Sequence, residues 1–282
     1  MSRSEPGFDV RRIVVAFESL SAAAAALEEA AGLAARLHAE LEGVFVQDIN
    51  LVRLAGLPVG REIQLLTGRV RDFTADALEA DTRAQEFAAR RAVAAAAARA
   101  RVAYAFRTTR GQVDVEVLNA ADSGDLLILS PGDRLPWSSP RLDRAARAAA
   151  ERAPRSVLIS KPGMRAAGVP LVCYDGSAGS RRALEAGLRI FGAYEGRLAV
   201  LVLAEDAADA EGLRLQVEAR LAPLGVVPRF LYGARPRAPE VCQLASESGA
   251  GVLVMAADCP ALDQPRREEV LESVACAVLL VR

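Results

Sequence analysis

The sequence predicts an α/β protein made of two doubly wound parallel-sheet units in tandem. Three observations carry this. Short, continuous apolar runs recur along the whole chain, stretches of helical periodicity separate them, and the second half repeats the order of the first. Continuous apolar runs, unlike alternating ones, suit parallel strands covered on both faces. Strands that alternate with helices imply right-handed crossovers packed on a parallel sheet. The repeat is visible residue by residue: Phe17-Glu18 matches Tyr174-Asp175, Ala26-Leu27-Glu28 matches Ala183-Leu184-Glu185, and "VFV" matches "LVL" at a constant offset.

In the first half the apolar runs place strands at 12–17, 43–47, 102–108, 125–130 and 156–160. The helix after the first strand ends near His38, the only histidine of the chain. After the second strand comes "DINLVRLAGLPVGREIQLL" (48–66), then a long Ala/Arg/Glu helix from about Thr74 to Arg101. This 48–101 stretch is an insertion. From second to third strand the first half spends about 55 residues and the second about 22. The 48–66 segment is apolar for a surface loop. It either closes over a pocket as a lid or packs against the other half. The expectation is packing, with most of 48–66 buried, because a loop this long needs an anchor.

A linker with two prolines and two glycines, "KPGMRAAGVP" (161–170), leads into the second half. Its strands fall near 170–174, 198–203, 227–232, 251–256 and 277–281. The helix after the first of these shows Leu184, Leu188 and Phe191 at i, i+4 and i+7, one apolar face. Ser177 and Ser180 are its candidate N-caps.

Composition excludes several function classes. The net charge of −1 argues against a general nucleic-acid or anionic-membrane surface. The N-terminal "MSRSEPGFDVRR" has charge without an apolar run behind it, and no run reaches the ~20 apolar residues of a membrane span. A cytoplasmic location is expected. Cys173, Cys242, Cys259 and Cys276 form no CxxC pair and read as mostly buried free thiols, not as metal ligands. With one histidine, no Ser-His or Cys-His pair and no zinc set is available. No GxSxG elbow, P-loop or GxGxxG fingerprint appears.

With these segments assembled, each half resembles a universal stress protein A domain, and the chain resembles a tandem member of that family. The likeness covers about residues 10–162 and 168–282. It rests on "VAFESLSAAAAALEEA" and "VCYDGSAGSRRALEAG", on the fourth strands "SGDLLILSPG" and "SGAGVLVMAAD", and on the fifth strands "APRSVLISKPG" and "ACAVLLVR". The resemblance implies strand order 3-2-1-4-5 in each half. It also implies an intrachain pseudo-dimer through the fifth strands, homodimers among family members, and a binding or regulatory role in stress in place of a dedicated enzyme. ATP, where members bind it, sits at the C-terminal edge of strands 1 and 4, the switch point of the sheet.

ATP-binding members carry Gly, two residues, Gly, nine residues, Gly and Ser or Thr after strand 4. Glycines let backbone N–H groups approach phosphates, and the last pair opens a helix. In the first half those positions fall on Ser130, Asp133 and about Asp143, beside Arg144. Gly132 is out of register, and Pro131, Pro136 and Pro140 remove donors. Glu18 stands after its first strand with no glycine following. In the second half Asp175, Gly176 and Ser177 match the floor of a nucleotide pocket. Its glycine positions fall on Ala256 and Cys259, Asp258 and Asp263 add negative charge, and Arg266 and Arg267 are the cations left to offset it. The candidate site is therefore Asp175, Gly176, Ser177, Ala256, Asp258, Arg266 and Arg267, with its phosphate wall lost. The expectation is no bound cofactor. The alternative reading is an ATP-binding protein with weak ATPase activity in the second half. A flavoprotein-like nucleotide-cofactor unit is a third reading that fold alone does not separate.

Overall fold

The computed structural model describes residues 8–55, 61–63, 70–72, 74–129, 144–160, 168–192, 197–234 and 236–282. In the first half β1 (Arg12–Phe17), β2 (Glu40–Asp48) and three later strands of the main sheet alternate with α1 (Leu20–Leu37) and the helices that follow. The insertion contains α2 (Ile49–Ala55), the short strands β3 (Arg61–Ile63) and β4 (Val70–Asp72), and α3 (Ala75–Ala100). After it come β5 (Tyr104–Gly111), α4 (Val113–Asp122), β6 (Leu126–Leu129), α5 (Arg144–Arg152) and β7 (Ser156–Ile159). The second half runs β8 (Val169–Tyr174), α6 (Ala178–Phe191), β9 (Leu198–Ala204), α7 (Ala207–Leu221), β10 (Pro228–Ala234), α8 (Ala238–Glu247), β11 (Ala250–Ala256), α9 (Gln264–Ser273) and β12 (Ala277–Val281).

Among the described residues one sheet runs through the molecule in the order β10-β9-β8-β11-β12-β7-β6-β1-β2-β5. Each half thus has the order 3-2-1-4-5, with parallel neighbours throughout. The antiparallel pair of this sheet is the seam between the halves, where β12 meets β7 in the register Val278↔Ile159, Leu279↔Leu158 and Leu280↔Val157. All six of these side chains are buried. The seam abolishes two sheet edges that would otherwise present unpaired backbone groups.

The two faces of the sheet bury separate cores. One gathers Ile13, Phe45, Leu158, Tyr174 and Leu279 under α1, α3, α6 and α7. The other gathers Leu127, Ile159, Cys173, Met255 and Leu280 under α4, α5, α8 and α9. Polar contacts stitch the halves on both sides. The Arg36 guanidinium donates to Ile190 O at 2.8 Å, the Arg282 N–H donates to Ser156 Oγ at 3.2 Å, and the Arg282 guanidinium donates to Ala150 O at 2.6 Å.

The long helix expected from Thr74 to Arg101 is α3. Thr74 caps it, its hydroxyl accepting from the Ala77 N–H at 3.3 Å, and Arg101 ends it in the left-handed conformation at φ 57°. His38 ends α1 in the same conformation, at φ 54°. Two expectations need correction. β2 starts at Glu40, three residues before the apolar run at 43, because Arg12 and Arg107 pair with Glu40 and Glu42 and let charged residues join the strand. The 48–66 segment is not largely buried where it is described. Within 48–55 only Ala55 is buried, while Leu51 and Leu54 are 45% and 50% exposed.

Candidate functional site

The switch point of the second half lies where the C-terminal ends of β8 and β11 diverge. There the chain leaves β8 through Asp175-Gly176-Ser177 and enters α6. Gly176 has φ +77°, in the left-handed region that favours glycine, and a Cβ there would also push on Leu213 Cδ2 at 2.6 Å, the movable end of its side chain. Ser177 is the N-cap of α6. Its hydroxyl accepts from the Ser180 N–H at 3.1 Å, which settles the choice between the two serines. Ser180 is fully buried inside the helix and donates its hydroxyl back to Ser177 O. Arg181 donates to Gly176 O at 2.7 Å and fixes the turn.

Asp175 is the centre of the site. One carboxylate oxygen accepts from the Ser177 N–H at 3.0 Å. The other accepts from Cys259 Sγ and from the Ala261 N–H, both at 3.4 Å. Burial pushes its pKa up, but hydrogen bonds from Ser177, Ser180 and Cys259 together hold it below the usual aspartate value. The Cys259 thiol moves the other way. Burial and the neighbouring Asp175 charge raise it to about 12, so it is a neutral donor at physiological pH. Cys173 is also raised well above an ordinary thiol, by burial first and then by Cys259, Asp175 and Cys276.

The loop after β11 is thus folded down on Asp175. Arg267 secures it, donating to the carbonyls of Cys259 (3.2 Å) and Leu262. Asp263 caps α9, accepting from the Arg266 N–H at 3.1 Å. The cavity left beside this loop measures about 670 Å³ and opens to solvent at the ends of β8 and β9. Asp175, Gly176, Ser177 and Arg266 line it. The other three candidates do not. Ala256 is buried in the strand end, Asp258 reaches Arg182 at 3.5 Å on the far side of Gly179, and Arg267 faces a separate crevice near Leu280.

Sequence reasoning missed Glu205 and Asp209, which line the same cavity. The signal was present, since strand 2 adjoins strand 1 and the acidic run after β9 must fall beside Asp175. Four acidic residues (Asp175, Glu205, Asp209 and Asp263) and one basic residue, Arg266, therefore line the cavity. In the first half Glu18 is exposed at the end of β1, and Ser19 stands at the N-cap of α1 with its hydroxyl bonded to that of Ser21 at 2.6 Å and not to the helix backbone. Ser130, Asp133 and Asp143 lie outside the described residues. Arg144 opens α5 and pairs with Asp114 at 3.1 Å. Among the described residues no helix is long and apolar enough to cross a membrane.

Comparison with known proteins bears on the fold. No family model and no curated protein matches the chain. Solved structures do. A universal stress protein from Archaeoglobus fulgidus DSM 4304 superimposes with a TM-score of 0.72 at 14% identity, over 96% of this chain and 98% of that one. A functionally unknown protein from Pseudomonas aeruginosa PAO1 does so with a TM-score of 0.57 at 19% identity, over 97% and 93%. The chain therefore has the fold of that universal stress protein structure over 96% of its length.

Proposed function

We propose that this chain is a tandem universal stress protein, a stress-associated binding or regulatory protein that is not an enzyme and whose nucleotide site is degenerate. It would act in the cytoplasm through protein partners or a small ligand, without nucleic acid, as an intrachain pseudo-dimer able to pair further. The observation that carries this reading is the loop 257–263. Where glycines would open backbone N–H groups to phosphate, Cys259 and Ala261 instead donate to Asp175.

Electrostatics point the same way. A carboxylate about 8 Å from a phosphate charge costs about 0.5 kcal/mol at a water-like dielectric and about 2 kcal/mol at an effective dielectric of about 20. With carboxylates in excess over Arg266 in the cavity, a polyphosphate meets repulsion several times over. Equilibrium dialysis with radiolabelled ATP and Mg²⁺ tests this. The reading expects no saturable binding up to about 1 mM, and saturable binding at one nucleotide per chain would overturn it.

One observation favours the second reading, an ATP-binding protein with weak ATPase activity. The cavity is roomy, stands at the switch point and is lined by Asp175, Gly176, Ser177 and Arg266. The same dialysis decides between the two.

A further inference from the structure

The insertion leaves a helix face without a partner among the described residues. The C-terminal half of α3 is anchored by Ala89, Val93, Ala96 and Ala97, which are buried where it packs on α1, β2 and β5. No residue of α3 before Ala89 is buried. Leu78 turns inward, where with Leu51 of α2 it walls a cleft at the end of β2. The face on the opposite side of the helix points away from the molecule. Ala80, Ala84, Phe87, Arg91, Ala95 and Ala98 share it, following the helical repeat of about 3.6 residues, and all of them are exposed. Phe87 is 64% exposed, the most exposed aromatic ring among the described residues. The outer face of a surface helix ordinarily carries polar residues, and on this stripe only Arg91 is polar.

Charge along α3 selects the occupant. Asp76, Glu79, Asp81 and Glu86 lie with Arg83 in the first half of the helix, and Arg90, Arg91 and Arg99 lie in the second. Several of these are already compensated. Glu79 pairs with Arg83 at 2.6 Å, Arg99 pairs with Glu28, and Asp81 has a partner. Asp76 and Glu86 remain in the first half, against Arg90 and Arg91 in the second, whose guanidiniums lie over the rings of Phe106 and Phe87 at 4.8 and 5.8 Å. The face is therefore complementary to itself when reversed. We infer that two copies of this chain pair α3 against α3, antiparallel about a two-fold axis between Ala84 and Phe87. In this register Phe87 packs on Ala80 and Ala84 of the other copy, and Arg91 lies opposite Ala80, one turn from Asp76 of the other copy. Alanines admit the close approach of about 8 Å between axes that helix pairs use. A two-fold axis makes each of these contacts twice. Parallel pairing would set like charges against each other.

This assignment deepens the further pairing given under the proposed function, and it is read from oligomeric state, which ATP binding does not report. The test is sedimentation velocity on the full chain, from about 1 to 200 µM. A reversible dimer with Kd below about 100 µM is expected. Phe87→Asp and Arg91→Glu, both at exposed positions, should each weaken it at least about tenfold with unchanged far-ultraviolet circular dichroism. Adding Asp76→Arg to Arg91→Glu inverts the ion pair and should restore most of the loss. A chain monomeric at about 200 µM would overturn both this assignment and the further pairing. A dimer undiminished in either single variant, or no recovery in the doubly charge-reversed chain, would overturn the α3 assignment alone.

Discussion

Gly179→Ala tests how tightly the switch point is closed. Gly179 lies in the first turn of α6, fully covered by the end of β11 and the loop after it. An added Cβ would stand 2.3 Å from Asp258 Oδ1, 2.9 Å from Ala256 Cβ and 3.2 Å from Asp258 Cγ. The Asp258 clash is relieved cheaply. Its side chain is 68% exposed and can swing away, giving up a 3.5 Å contact with Arg182 worth about 0–1 kcal/mol. The Ala256 clash is not, because Ala256 is held in β11 opposite Val281 and carbon pairs prefer about 3.5–4.0 Å. Overpacking of this kind costs about 1–3 kcal/mol, while replacing glycine by alanine in a helix returns up to about 1 kcal/mol. The expected net loss is about 1 kcal/mol, or roughly 2–4 °C in Tm for a chain of this size. Calorimetric melting reads it. Adding Ala256→Gly removes the opposing methyl, so the double variant should show a favourable coupling of about 1 kcal/mol. A Gly179→Ala protein as stable as the parent, or a cycle without coupling, would refute the claim that side chains fill the gap where phosphates would need backbone.

Three further outcomes follow from the same structure. Leu158→Ala and Leu279→Ala, opposite each other across the seam, should each cost about 2–5 kcal/mol and couple by at least about 0.5 kcal/mol; strict additivity in urea unfolding would contradict the pairing. Of the four thiols, partly buried Cys242 should react first with a disulfide reagent at pH 8, while Cys173, Cys259 and Cys276 wait for unfolding; early modification of Cys259 would refute its burial and raised pKa. Asp175→Asn should destabilise by about 1–3 kcal/mol at pH 7 by weakening charge-assisted hydrogen bonds. Because the folded pKa of Asp175 is depressed, its contribution is complete above the unfolded value near 3.8 and is lost as pH falls through the folded value. The difference between parent and variant should therefore shrink below pH 3.8, and a constant difference down to pH 2 would contradict the assignment.

Much of the fold was legible because buried parallel strands write themselves as apolar runs. β1, β9 and β12 lie where IVVAF, LAVLVL and AVLLV place them. Edge strands are harder to read. β5 is YAFRTTRG, half exposed with charges along it, so its observed span Tyr104–Gly111 runs three residues past the expected end. The insertion was legible as a long helix but not as a cleft. Apolar residues in 48–55 suggested an anchor, and sequence alone does not separate an apolar side chain that is buried from one that walls an open cleft. At the candidate site, Asp175-Gly176-Ser177 could be read from the strand-turn-helix junction. Glu205 follows β9 and Asp209 lies in the first turn of α7, and the sheet order brings them to the same cavity.

Thermal melting of the purified chain with and without millimolar ATP and Mg²⁺ addresses the central claim most directly. Any ligand that prefers the native state stabilises it, by about 2.7 kcal/mol at a hundredfold excess over Kd. At about 2–4 °C per kcal/mol that is a rise of roughly 5–11 °C. The account predicts no shift, since the loop after β11 donates to Asp175 and acidic residues outnumber Arg266 along the cavity. A clear rise that disappears in Asp175→Ala would contradict it and make the second half a working nucleotide site.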